Sequence, residues 1–262
     1  PIELVTPPME VASCNQRAPT WHVPEFGGGA TCDVAPNIFL PAYRIMEDLD
    51  RFEPEAMSWY VLNIGAHDGI SGDPFYNALV RNPTKWKGLA IEPGPAINTL
   101  RKNYARFAGI DLWHMGVTAT DVARTSKARS PNTSGKTIDY LKLDIDSCDC
   151  HVLRTLMDDP YYHAKVLQVE LNHHLPPPIM YMDMCKNNVH GTSNPGNTEV
   201  FGCSMAAAFD IVEPLGYQLL QYDWPDATFI QARYQPVFPC ILNHGLDHNY
   251  KVGYRHAREH FD

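Results

Sequence analysis

The sequence has no apolar run approaching the roughly 18–20 residues needed to cross a bilayer, so it holds no candidate membrane span. It has no Lys/Arg cluster and carries a formal net charge of −9. That argues against a nucleic-acid partner, because a phosphate backbone needs a basic face. Its seven cysteines include no CxxC pair, and Cys148 and Cys150 are too closely spaced for a usual zinc knuckle. The GxGxxG spacing of pyrophosphate loops is missing as well. Wholesale disorder is excluded by a hydrophobic content of 44% against 19% charged residues. The chain begins at Pro1 rather than Met, so neither a leader nor its absence is read from its start.

Cys14 and Cys32 bracket a Pro/Gly-rich stretch and could form a disulfide, and Asn132-Thr-Ser134 is a glycosylation sequon. Free buried thiols and a chance sequon are the alternative. The compartment stays open between a cytoplasmic and a lumenal or secreted setting, the latter if Cys14 and Cys32 pair.

What is present organises around Tyr60-Val-Leu-Asn-Ile-Gly-Ala-His-Asp-Gly69. Val61, Leu62 and Ile64 read as a buried parallel strand, and Gly65 and Gly69 as the turn that releases the chain from it. Asp73-Pro74 predicts a helix start, with Asp73 as N-cap. Further strands are expected at 88–92, 110–115, 138–146 and 165–171, with helices between them. Asp149 is expected to cap the helix after the fourth strand. Ser204 is expected to cap a helix over 205–213 that Gly216 closes. The runs 217–222 and 227–234 flank Asp223-Trp-Pro-Asp226, a connection short enough to imply an antiparallel pair.

The expected fold is therefore α/β and Rossmann-like. A mostly parallel seven-stranded sheet ends in an antiparallel hairpin, with helices on both faces. Residues 1–55 read as an irregular arm with a capping helix, 56–235 as the main domain, and 236–262 as a tail without clear periodicity. The segment after the fifth strand, to about Thr198, reads as lid or substrate loop.

Ligands of open α/β sheets bind outside the carboxyl ends of the strands. Four such ends are polar here: Asn63 to Gly69, Glu92, Asp144-Ile-Asp146, and Glu170-Leu-Asn172-His173. Glu92 is placed to accept ribose hydroxyls.

These stretches resemble the successive motifs of FkbM-like S-adenosylmethionine-dependent methyltransferases. The matching stretches are Asn63-Ile-Gly-Ala-His-Asp-Gly69, Ile91-Glu-Pro93, Tyr140-Leu-Lys-Leu-Asp-Ile-Asp146, Gln168-Val-Glu-Leu-Asn172 and Phe201-Gly-Cys-Ser204. The likeness runs from about residue 58 to 235. It implies the class I methyltransferase fold, which also ends in an antiparallel hairpin. It further implies S-adenosyl-L-methionine as cofactor, held by Asn63, Gly65, Ala66, His67, Asp68, Gly69, Glu92, Pro93, Val117 and Asp144. The chain departs from the family pattern at Asn63, His67 and Ser147.

Family resemblance favours methyl transfer to a hydroxyl, on a small molecule or glycan. Two schemes would remove the hydroxyl proton. In one, His173, just past the fifth strand, is the general base, with Asp144 the other catalytic candidate. In the other, Asp144, Asp146, Glu170 and Asn172 offer oxygen ligands to Mg²⁺ or another divalent cation. A nicotinamide-dependent oxidoreductase and a non-catalytic binding member of the fold are the rival readings.

Overall fold

The computed structural model describes residues 39–116, 137–183, 202–238 and 245–261, with side chains as far as Tyr254 in the last stretch. The N-terminal arm, Val117, Cys14, Cys32, the sequon at Asn132 and the segment 184–201 lie outside the described residues.

Seven strands form one sheet: β1 (Tyr60–Ile64), β2 (Lys87–Glu92), β3 (Ile110–His114), β4 (Tyr140–Leu143), β5 (Val166–Glu170), β6 (Tyr217–Asp223) and β7 (Asp226–Gln231). Their spatial order is β3-β2-β1-β4-β5-β7-β6. The first five run parallel, and β7 enters antiparallel between β5 and β6. This is the Rossmann-like arrangement of class I methyltransferases, a mostly parallel sheet closed by an antiparallel hairpin. Chain order runs outward from β1 to β3 and then returns to β4 beside β1. The sheet's switch point, where ligand crevices open, therefore lies between β1 and β4.

Helices cover both faces: α1 (Ala42–Phe52), α2 (Tyr76–Arg81), α3 (Ile97–Tyr104), α4 (Asp149–Met157), α5 (Met205–Val212) and α6 (Leu246–Phe261). Alternation along each strand divides the apolar side chains between two cores. Leu62, Ile64, Leu141, Leu143, Leu167 and Val169 pack toward α4 and α5. Val61, Ala90, Tyr140 and Val166 pack toward α1, α2 and α3. Helix α1 docks through Ala42, Ile45, Met46 and Leu49, a stripe at helical spacing.

Three expectations are corrected. Helix α2 starts at Tyr76, not after Asp73, because the Asp73 carboxylate turns inward. Its Oδ1 accepts the Phe75 N–H at 2.9 Å, while Oδ2 accepts Asn63 Nδ2 and the Tyr104 hydroxyl, each at 2.9 Å. Asp149 sits inside the first turn of α4 rather than capping it. Its carboxylate binds the amides of Ile145 (2.9 Å) and Ser147 (3.3 Å) in the preceding loop. The tail without clear periodicity forms α6. That helix lies so close to β6 that a Cβ at Gly253 would come within 2.3 Å of the Tyr222 carbonyl oxygen. Its inward face is built from Leu246, Asn249, Tyr250 and Gly253, with one aliphatic among them, which hid it from a hydrophobic-period reading.

Candidate functional site

The glycine turn leaves β1 at the switch point. Gly65 has φ +80°, and a Cβ there would sit 1.5 Å from the Asp144 carbonyl oxygen. Only glycine allows the ends of β1 and β4 to approach so closely. The amides of Gly65 and Ala66 both donate to the Ile91 carbonyl, at 2.9 and 3.0 Å, so the turn folds over the end of β2. His67 takes φ +48°, its ring exposed, and its N–H donates to Glu92 Oε2 at 2.8 Å. Asp68 holds the next bend by accepting the amides of Ile70 (2.8 Å) and Ser71 (2.7 Å). A slight burial penalty on its carboxyl is outweighed by those bonds, which keep it below the usual carboxylate range. Gly69, at φ +75°, packs on Tyr104 and Leu100 of α3.

Glu92 is buried at the end of β2 and serves the turn directly. Besides His67 it accepts the Gly94 N–H on Oε1 at 2.6 Å. One lone pair on each oxygen is thereby engaged, and one on each is left for a ligand hydroxyl. Pro93 follows, its carbonyl 3.1 Å from His114 Nε2.

A buried polar row crosses the sheet on the α1–α3 face, which pattern reading missed. Asn63, Lys142, Gln168 and Thr228 occupy one register across β1, β4, β5 and β7, and all are buried. Lys142 Nζ donates to Asp144 Oδ2 at 2.7 Å and to the Gly65 carbonyl at 3.2 Å, tying the glycine turn to the end of β4. Burial alone would lower its pKa. The carboxylates of Asp144, Asp73 and Asp226 outweigh that and hold it above the ordinary lysine value. Gln168 accepts from the Tyr140 hydroxyl and donates to Asp226 Oδ2 at 2.9 Å. The available signal was Lys142 itself, a lysine amid the apolar run of a central strand. Next to it, Asn63 Oδ1 is buried with no hydrogen-bond partner, an orphaned acceptor beneath the turn.

Carboxylates crowd the ends of β4 and β5. Oxygens of Asp144, Asp146 and Glu170 lie within 4.8 Å of one another. Asp146 is exposed and held at φ +52°. Glu170 Oε2 is buried without a hydrogen-bond partner. Its carboxyl is pushed far up, by burial first and then by Asp149, Asp144, Asp146 and Asp226. Asn172 is buried, and its Oδ1 accepts the His174 N–H at 2.9 Å, so that oxygen is already engaged by its own turn. His173 is half-buried, its ring centroid 4.0 Å from His174 and 4.6 Å from Trp224 of the β6–β7 turn. Burial, then His174, lowers its pKa, so the ring is neutral at pH 7. The Tyr250 hydroxyl of α6 donates to the His173 carbonyl.

The three cysteines among the described residues are not free thiols. Cys150 of α4 pairs with Cys203 just ahead of α5, and Cys148 is also disulfide-bonded. Sequence spacing carries no signal for a bridge 53 residues apart. Trp86 is a packing residue, edge-on to Trp59 and Phe75 at 5.0 and 4.6 Å. Among the described residues no helix is long and apolar enough to cross a membrane.

No protein-family model matches the chain, and no curated protein matches it. Solved structures with a related fold do. A putative O-methyltransferase from Klebsiella pneumoniae is 14% identical with a TM-score of 0.42, over 70% of this chain and 78% of that one. A SAM dependent methyltransferase from Aquifex aeolicus is 14% identical with a TM-score of 0.35, over 73% and 97%. The METTL16 MTase domain is 14% identical with a TM-score of 0.34. That match spans only half of each chain. At these values the likeness carries no argument about activity, and the topology stands on the strand pairings themselves.

Proposed function

We propose that the chain is an S-adenosylmethionine-dependent methyltransferase of FkbM type, acting on a hydroxyl of a small molecule or glycan. The observation that carries the reading is the orphaned Asn63 Oδ1 at the end of β1, beside the switch point of the sheet. A buried acceptor there fits an ammonium donor, and the cofactor's methionine end supplies one. The cofactor, when bound, presents an electrophilic methyl carbon on a cationic sulfonium. The residues that would hold it are Asn63 at the ammonium, the backbone of Gly65 to Gly69 along the methionine end, and Glu92 at the ribose through its remaining lone pairs. Asp144 would close the crevice from β4, with Pro93 beside Glu92.

Alignment of nucleophile, methyl carbon and sulfur supplies much of such a reaction, on the order of 7–11 kcal/mol in favourable cases. The chain's own task is then the acceptor proton. In this reading His173 takes it, since its lowered pKa leaves the imidazole free to accept at neutral pH. One observation favours a second route. The buried, unpartnered Glu170 Oε2 beside Asp144 and Asp146 fits a divalent cation with oxygen ligands. A cation so held would lower the acceptor hydroxyl's pKa.

Calorimetric titration with S-adenosylmethionine, S-adenosylhomocysteine and NAD tests the cofactor. Tight NAD binding with no sulfonium binding overturns the proposal, and binding without turnover across a hydroxyl-acceptor panel favours a non-catalytic module. Loss of turnover in His173→Ala, with chelator-insensitive activity, supports the histidine. The opposite pair of results supports the cation.

A further inference from the structure

We propose that the Cys150–Cys203 disulfide is the clasp that positions the loop 144–149 at the candidate site. The part of this inference that concerns cofactor affinity rests on the methyltransferase reading above.

That loop carries Asp144 and Asp146 from the end of β4 into α4, and besides the disulfide of its own Cys148 it is held at three places. Lys142 grips Asp144 at its start. Asp149 reaches back to the amides of Ile145 and Ser147 in its middle. Both of these holds are internal to the β4–α4 unit, while the Asp144 N–H donates to the Ile64 carbonyl at 3.0 Å and fixes the start of the loop against β1. The third hold fixes its far end against the β5 side. Cys150 in the first turn of α4 is bonded to Cys203, and both are fully buried. One residue earlier the Gly202 N–H donates to the Ser147 carbonyl at 2.5 Å.

The segment at 202–204 is itself anchored on two further sides. The Cys203 carbonyl accepts the Asn172 N–H at 2.7 Å, just past the end of β5. The Ser204 N–H donates to the Tyr181 carbonyl at 3.0 Å, and the Gly202 carbonyl accepts the Asp183 N–H at 2.9 Å. The disulfide thus joins the carboxylates of β4 to the end of β5, where Glu170, Asn172 and His173 stand. Cys150 and Cys203 act here as positioning residues. Forming the bond removes two electrons and two protons from two thiols and passes them to a disulfide oxidant, which becomes a dithiol. Such bonds form and persist in oxidising compartments.

Iodoacetamide in guanidinium without reductant, followed by peptide mass spectrometry, reads the bond. Cys150 and Cys203 are expected to stay unlabelled, and labelling of either overturns the proposal. Hydrogen–deuterium exchange then reads the clasp on the Cys150→Ala/Cys203→Ala variant, which leaves the Cys148 disulfide intact, and on dithiothreitol-treated protein, in which that bond is reduced as well. Exchange of the peptide covering 144–149 is expected to rise about tenfold while that covering 60–64 is unchanged, and reoxidation of the reduced wild type restores protection. Unchanged exchange at 144–149 overturns the proposal. So does global unfolding of both samples, which would make the bond a requirement of the fold rather than a clasp of the site. S-adenosylhomocysteine affinity is expected to fall about tenfold in parallel, and a fold-competent sample with unchanged affinity overturns the link to the cofactor. If the oxidised protein binds no S-adenosylhomocysteine, the methyltransferase reading fails, and the exchange result still decides the clasp.

Discussion

Lys142→Met removes the ammonium that faces Asp144, Asp73 and Asp226 while keeping most of the side-chain stem. Breaking a buried ion pair by deleting one partner costs about 3–5 kcal/mol. Asp144, however, has 28% of its side chain exposed, so water screens part of the loss. The Gly65 carbonyl also loses a donor, worth about 1 kcal/mol. A net cost near 3 kcal/mol at pH 8 follows. It depends on pH through the acids left behind. Burial already lifts the Asp226 carboxyl to about 7, with Lys142 opposing that rise. Without the lysine, ionised Asp226 and Asp73 become more costly, so the penalty grows as pH rises through 7 and shrinks toward pH 5, where Asp226 carries a proton in both proteins. Urea unfolding at pH 5 and pH 8 measures both values. A cost below about 1 kcal/mol at both pH values, or a larger cost at pH 5, would refute this reasoning.

Gly65→Ala combines a left-handed φ with a Cβ set against the Asp144 carbonyl, so the ends of β1 and β4 must part. A loss of roughly 2–4 kcal/mol by urea unfolding is expected, with at least a tenfold drop in S-adenosylhomocysteine affinity on the present functional reading. Asp226→Asn keeps an acceptor for Gln168 but removes a carboxyl whose folded pKa lies above its unfolded one. Such a group stabilises below the unfolded value and loses that contribution as pH rises through about 7. The variant's melting temperature should therefore gain a few degrees on wild type at pH 8, on the order of 1 kcal/mol, and little at pH 5. Glu92→Gln leaves one acceptor oxygen for the amides of His67 and Gly94. A cost of about 1–3 kcal/mol is expected, with faster amide exchange at one of those two residues, and wild-type exchange at both would count against the stitching role of Glu92.

The sheet was legible because its strands are apolar runs closed by Gly, Pro or an acid, signals that depend on near neighbours in sequence. The hairpin was legible for the same reason, since four residues between two strands leave the chain no room for a crossover. What escaped were features set by distant partners. Asp73 reads locally as an N-cap, yet Asn63 and Tyr104 draw its carboxylate inward. Helix α6 docks through Leu246 together with tyrosine, asparagine and glycine, the glycine standing where β6 presents Tyr222 in the path of its backbone. No hydrophobic scale registers a glycine chosen for contact.

The candidate site divides along the same line. Asn63, Gly65, Glu92, Asp144 and Glu170 were visible as strand ends, since one rule of α/β sheets picks out that edge. Lys142 and the disulfide were not, because their meaning lies in what they join. Together they resolve an apparent conflict. Asp144, Asp146, Asp149, Glu170 and Asp226 crowd acids at one edge, where burial first and neighbouring carboxylates after it push the carboxyls of Asp149, Glu170 and Asp226 up. Left to local preference, the loop 144–149 would relax away from the end of β5. Lys142 offsets the charge from within the sheet, and Cys150–Cys203 opposes the relaxation from the helical side. A carboxylate-lined edge of this kind favours a cationic ligand over a neutral one of the same shape. A sulfonium donor meets that condition, and its neutral thioether product does not.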